Sequence, residues 1–159
     1  MGEYSVVGSG ADCKSVAIGS GGSIPSSPTI LRGVNMLFDT NKNKGRAGLA
    51  SAIGYFGTHG YTVSIPLNDT QDYDLIVDYN GLKKVSIKAT SHRNHNGVTT
   101  VALRNMGGTD GKVYGREQEK DIDFVFVVNE NSEMWLLPKD ILTTNSMSLD
   151  NKYKQYKLN

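Results

Sequence analysis

Asp72-Tyr73-Asp74-Leu75-Ile76-Val77, a turn at Asn80-Gly81, and Val85-Ser86-Ile87-Lys88-Ala89-Thr90 decide how this chain folds. In the last segment Val85, Ile87 and Ala89 alternate with Ser86, Lys88 and Thr90, so one strand face is apolar and the other carries Ser86 and Lys88. The first segment opens on acids and runs on apolar, and Asn80-Gly81 is a strong hairpin signal between the two. An acid at the mouth of one strand can then meet a lysine on its neighbour. Phosphodiester hydrolysis uses such a pair: a carboxylate holds Mg²⁺, the ion activates water, and a lysine stabilises the nucleophile or the pentacoordinate phosphate. Register is the test. A strict two-residue turn sets Asp74 opposite Ile87, on the wrong face, whereas a bulge or one extra loop residue sets Asp74 opposite Lys88. The catalytic reading requires the second register.

Outward from this hairpin, Leu49, Ala52, Ile53 and Phe56 recur at helical spacing between Lys44 and His59, with Gly60 as the stop. Tyr61 to Ile65 alternates as a strand ending at Pro66, and Leu67 to Gln71 is a polar loop. After Thr90, residues 91–97 are polar and basic, and Val98 to Arg104 makes a further strand. Asn105 to Lys120 is Gly-rich and charged, a loop with at most a short helix. Phe124 to Val128 is a buried strand, Met134 to Leu137 its partner across Asn129-Glu130-Asn131, and Pro138 to Leu142 starts a helical turn. Tyr153 to Leu158 closes the sheet edge. Helix, three-stranded meander and further strands make an α+β domain with helices around a mixed sheet.

Composition narrows the function. The 159 residues carry 17 Lys and Arg against 16 Asp and Glu, a formal net charge of +1, which excludes nucleic-acid binding by bulk charge alone but not a local basic groove. A single Cys forms neither an internal disulfide nor a zinc site and fits a reducing cytoplasm. No apolar run approaches the roughly 20 residues that span a bilayer.

Taken together, residues 72–77, the turn and residues 85–90 resemble the core of the PD-(D/E)xK nucleases, within them the branch of group I intron-associated homing endonucleases. Gly45-Arg46-Ala47-Gly48-Leu49-Ala50, Gly60-Tyr61-Thr62-Val63, Ile65-Pro66-Leu67 and Leu103-Arg104 with Gly107-Gly108 are similar to that branch as well. The resemblance covers roughly residues 42–158, with the specific part at 60–90. It implies a restriction-endonuclease-like α+β core, and a double-stranded DNA endonuclease that uses Mg²⁺, or Mn²⁺ in its place, in the cytoplasm of a bacterial or phage-infected cell. By position, Asp74 would be the metal-binding aspartate and Lys88 the catalytic lysine. Ser86 falls where the superfamily has Glu or Asp and this branch commonly has Gln, so it is a degenerate second position; Leu49 falls near a helix glutamate of many relatives. Asp72, Asp69 or the Ile87 backbone carbonyl are the residues to compensate.

For DNA contact, Lys83, Lys84, Arg93, Arg104, Lys112 and Arg116 flank the site in sequence, Gln71 stands beside Asp72, and Arg46 is a further candidate. Such contacts position a duplex without reading bases. The plainer reading is ordinary surface charge, diluted by acids at 110, 117, 119, 121 and 123. His92 and His95 share a polar loop with Arg93, which favours a solvated or phosphate-contacting loop over zinc, and Trp135 reads as core rather than a base-stacking platform. A small domain reading a long site acts as a symmetric homo-oligomer, a dimer or tetramer. The rival readings are a weakened or nuclease-dead DNA-binding module on the same fold, and a structure-selective nuclease resembling Holliday-junction resolvases.

Residues 1–34 form a Gly/Ser-rich leader that buries too little apolar surface to order itself, and the nuclease domain is expected over 35–159. The leader also resembles a translated tyrosine tRNA gene. Gly22-Ser23-Ile24-Pro25 written as GGT TCG ATT CCC resembles a T-arm, and Asp12-Cys13-Lys14-Ser15 as GAC TGT AAA TCT an anticodon arm carrying GTA. Pro28-Thr29-Ile30 as CCC ACC ATT supplies the acceptor strand and CCA end, with Met1-Gly2-Glu3 as its complement. On that reading the folded protein starts near Met36 rather than at Met1, and the DNA target lies at or near a tRNA gene.

Overall fold

The computed structural model describes residues 38–68, 70–107 and 112–158, apart from the side chains of 105–107 and 112–114. The leader, Met36 and Asp69 lie outside the described residues. Thr40 caps α1 (Asn41–Thr58), the one α-helix among the described residues, by accepting the Asn43 N–H on its Oγ1 at 3.2 Å. Gly60, at φ +80°, then turns the chain toward the sheet. Among the described residues ten strands follow in chain order: β1 (Val63–Ser64), β2 (Leu75–Asp78), β3 (Leu82–Thr90), β4 (Thr100–Ala102), β5 (Arg104–Gly107), β6 (Lys112–Arg116), β7 (Phe124–Asn129), β8 (Met134–Pro138), β9 (Ser146–Ser148) and β10 (Lys157–Leu158). Six of them form the main sheet in the order β1-β2-β3-β7-β8-β10, parallel only between β3 and β7. The other four make two separate ladders, β4 with β9 and β5 with β6.

The sheet is covered on both faces, and the alternation along its strands decides which residue serves which face. Leu75, Val77, Val85, Phe126 and Val128 join Ala52 and Phe56 of α1 in one core cluster. Val125, Val127, Trp135 and Leu137 face the other way, where they pack with Val101, Leu103, Ile122, Leu142, Met147 and Leu149. The run Phe-Val-Phe-Val-Val of β7 is therefore apolar throughout because both its faces are buried.

Helix α1 carries glycines at 45, 48, 54 and 57, each costing about 1 kcal/mol against alanine in a helix, so packing must hold it. Gly48 shows where. A Cβ there would stand 3.0 Å from Ile87 Cγ2 and 3.2 Å from Ala89 Cβ. The missing side chain lets the helix lie directly on the middle of β3.

Two expectations of pairing change, and at the sheet edge only Lys157–Leu158 of the strand expected over Tyr153–Leu158 pairs, because Asn151–Tyr156 is a 3-10 helix. The β2–β3 register is neither of the two considered: Leu75 faces Val85 and Asp78 faces Leu82, around a loop of Tyr79, Asn80 and Gly81. Asn80 (φ +52°) and Gly81 (φ +99°) both take left-handed backbone, and the Asp78 side chain accepts the Gly81 N–H at 3.3 Å. Asp74, one residue beyond the ladder, therefore comes level with Ser86. That is two residues from the register the catalytic reading requires, so Asp74 lies level with Ser86 rather than Lys88, and its side chain bonds the Ile87 N–H at the strand edge. Secondly, residues 105–120 are not mostly loop, because β5 and β6 pair there and a 3-10 turn follows at Glu117–Glu119. The strand expected over 98–104 accordingly divides between β4 and β5, each with its own partner.

Close approach at Gly48 gives a stability prediction. Gly48→Val should destabilise the fold by about 1–3 kcal/mol through overpacking against β3. Gly54→Ala, with no atom within 4 Å of its new Cβ, should instead stabilise by roughly 0.5–1 kcal/mol. Urea unfolding of the two variants checks both signs.

Candidate active site

β2 stops at Leu75 while β3 continues, so the β3 edge beyond Val85 has no strand beside it. Asp74 fills the first place. Its own N–H donates to Val85 O at 2.9 Å, and its Oδ2 accepts the Ile87 N–H at 2.6 Å. The carboxylate is thus held in the plane of the sheet, at the strand edge and exposed to solvent. The N–H and C=O of one residue leave a strand on the same side, so the Ile87 carbonyl is directed to the edge where Asp74 sits. A cleft of about 370 Å³ opens there, lined by Gly45, Leu49, Ile65, Pro66, Gln71, Tyr73, Asp74, Ile87 and Ala89 among others.

Ser86 and Lys88 lie on the face away from α1, as their pairing with Val125 and Val127 requires. That face is covered rather than open, and Ser86 is buried. Over it stands Glu117, a residue the sequence offers only among the acids diluting the basic patch. Its side chain is wholly buried, its Oε1 2.8 Å from Lys88 Nζ and 3.0 Å from Lys120 Nζ. Burial by itself raises a carboxyl pKa, but the Lys88 ammonium, the Ser86 hydroxyl and Lys120 together outweigh it and hold Glu117 below the usual glutamate value. Nothing in the local pattern Arg116-Glu117-Gln118-Glu119-Lys120 announces a buried acid; only the crossover from β3 to β7 brings it to Ser86.

The remaining sequence candidates scatter. Asp72 is turned from the cleft, its Oδ2 accepting the Asp121 N–H at 3.1 Å. Gln71 lines the cleft and donates to Asn68 Oδ1 at 3.4 Å. Leu49 also lines it, an apolar residue on the helix beside Asp74. The Lys84 ammonium bonds the Asp121 carboxylate and stands 5.7 Å from the Tyr73 ring centre. Arg93 donates to Glu130 Oε1 and to Gly97 O, each at 2.8 Å. Arg46 and Arg104 are exposed on α1 and β5, and the Lys112 side chain lies outside the described residues. Trp135 is buried in the core with Lys157 over its ring. Among the described residues no three His, Cys, Asp or Glu side chains gather into a metal-binding group, and no helix is long and apolar enough to cross a membrane.

Comparison with known proteins bears on this geometry. No curated protein matches the sequence significantly. The chain is similar in structure to a bacterial homing endonuclease, I-Ssp6803I, with a TM-score of 0.61 at 23% identity over 74% of this chain and 88% of that one, a shared fold. The family model for PD-(D/E)XK endonucleases matches residues 39–157, which take in α1, the sheet as far as Lys157, Asp74 and the Ser-Ile-Lys of β3. With most of its length inside that match, this chain belongs to the PD-(D/E)XK endonuclease family.

Proposed function

We propose that the protein is a divalent-metal-dependent endonuclease of the homing type, which hydrolyses phosphodiester bonds of double-stranded DNA at or near a tRNA gene. The observation that carries this reading is the Asp74 carboxylate fixed on the Ile87 N–H, on the strand that bears Lys88 one residue further. Asp74 and the Ile87 carbonyl are hard oxygen donors, and Mg²⁺ is commonly held by one or two carboxylates with waters and substrate phosphate completing its shell. The residues present therefore fit the ion, with Asp74 and the Ile87 carbonyl as its protein donors and Ser86 too far buried and too weak a donor to replace an acid. A Mg²⁺ held there supplies Lewis acidity and neutralises phosphate charge.

The chain's own groups do the rest. Asp74 cannot swing away without breaking its bond to Ile87, so its free oxygen is preorganised. Lys88 stands on the central strand with its ammonium kept in place by Glu117, and it offers N–H donors to a phosphate oxygen or to the attacking water. Arg46 and Arg104, with Gln71 at the cleft, are the groups for positioning a duplex. A homo-oligomer would present two such clefts to the two strands.

The serine at 86 and the lack of an acid triad among the described residues favour one second reading, a DNA-binding module with weakened or no cleavage. Two experiments separate the readings. Asp74→Ala and Lys88→Ala should each lower cleavage by about 100-fold or more, while DNA affinity measured in Ca²⁺ changes little; unchanged cleavage in either variant removes that residue from the mechanism. Plasmid carrying a tyrosine tRNA gene should be cut in Mg²⁺ or Mn²⁺ while the same plasmid without that gene is not. Binding without cutting points to the inactive module, and cutting confined to a four-way junction to a resolvase. The nucleotide sequence over codons 1–34 tests the tRNA reading independently, since codons that do not pair into arms end it.

A further inference from the structure

Where the family's own name writes an acid, any residue and a lysine, β3 has Ser86-Ile87-Lys88. A serine hydroxyl cannot balance an ammonium. The Lys88 side chain is only 19% exposed, so its charge needs an anion close by. Glu117 provides one from a different part of the chain. It is the one acid among the described buried residues, and its Oε1 lies 2.8 Å from the ammonium that needs it. Its backbone is anchored as well: the Glu117 N–H donates to Leu103 O at 2.9 Å, and β6 delivers it from the β5–β6 ladder. Because Lys120 reaches the same Oε1 at 3.0 Å, the carboxylate would keep a counter-ion even without Lys88.

We propose that Glu117 is the positioning acid of the nuclease centre, delivered from the turn after β6 in place of the carboxylate that β3 lacks at Ser86, and that it fixes the Lys88 ammonium for work on the phosphate. This rests on the nuclease reading above and assigns that site a further residue. Glu117 touches neither substrate nor Asp74 in this role; it acts through Lys88.

Glu117→Gln keeps the shape and removes the charge. It should lower the single-turnover cleavage rate on the order of 10- to 100-fold, the range found for groups that orient a reactive one, with DNA affinity in Ca²⁺ within about threefold of wild type. A readout independent of cleavage is the acetylation rate of individual lysines under limiting acetic anhydride, followed by mass spectrometry. Lys88 should label several-fold faster relative to exposed Lys42 in the variant than in the wild-type chain. Moving the acid back onto the strand, in Ser86→Glu with Glu117→Gln, should recover at least about tenfold of the lost rate; if that chain does not fold, Glu117→Asp takes its place and should cleave faster than Glu117→Gln. A cutting wild type whose Glu117→Gln variant cuts equally well, or labels Lys88 no faster, overturns the proposal alone. Failure of the folded rescue variant overturns it too. A wild-type chain that cuts no DNA in Mg²⁺ or Mn²⁺ overturns the nuclease reading and the proposal with it.

Discussion

β3 is the strand on which everything else rests, because it is enclosed in four directions. β2 bonds one edge antiparallel over Leu75–Asp78, and β7 bonds the other in parallel along Val85–Thr90. Helix α1 lies on one face, close enough that Gly48 has no room for a side chain. The other face is closed by the segment that runs from β6 into the Glu117 turn. A strand so enclosed cannot leave a polar group without a partner, since a buried unsatisfied donor costs about 1–3 kcal/mol and a buried charge more. Lys88 is tolerated in its middle because Glu117 meets its ammonium. The opening that remains is at the Ile87 edge, where β2 has ended and only Asp74 stands.

Much of this was legible in the sequence, for a plain physical reason. Alternation with period two reports which face a residue serves, and Val85, Ile87 and Ala89 do turn toward the helix while Ser86 and Lys88 turn away. The helix and the β7–β8 hairpin were readable from periodicity and turn residues in the same way, whereas only Lys157–Leu158 of the closing strand expected over Tyr153–Leu158 pairs. What failed were matters of pairing, not of face. The hairpin loop holds three residues because both Asn80 and Gly81 accept positive φ and Tyr79 joins the turn, which composition alone does not decide. The β5–β6 ladder escaped because the glycines and charges of the segment around it read as loop, and its two short strands gain their stability from each other. Glu117 escaped for a deeper reason. Its neighbours Arg116, Glu119 and Lys120 read as a solvated surface, and only a contact far along the chain makes the position interior.

The charge distribution sets how DNA would be engaged. With a net charge of +1 the protein has no strong long-range field, so contacts must be local. Several of the cations nearest the site already hold carboxylates: Lys84 with Asp121 and Arg93 with Glu130. This is a weak obstacle. An exposed pair such as Lys84–Asp121 is screened by water and holds its partner weakly, and a phosphate that replaces the carboxylate also releases counterions from the duplex. Surface acids around the site can therefore act as temporary partners that keep the arginines and lysines extended until a backbone arrives. The Lys88–Glu117 pair differs in kind, because Glu117 is fully buried and Lys120 shares its Oε1.

That difference explains why an acid borrowed from another segment can serve as well as one on the strand. A strand fixes its own side chains by the ladder, so a carboxylate at position 86 would hold a lysine at 88 simply by sharing a face. Glu117 has no ladder bond to β3 and must be held by its own surroundings, the bond to Leu103 O and the second ammonium of Lys120. The electrostatic effect on Lys88 depends on distance and burial, not on which segment the oxygen comes from. What changes is the dependence on the rest of the fold. With the acid on β3, the lysine would be oriented by one strand alone; with Glu117, its orientation also requires the β5–β6 ladder and the turn that follows. The proposed centre thus draws on three parts of the chain: Asp74 from the end of β2, Ile87 and Lys88 from β3, and Glu117 from beyond β6. A loosening of the β5–β6 ladder would reach the lysine without disturbing the Asp74 edge, because the two arrive at β3 from different sides.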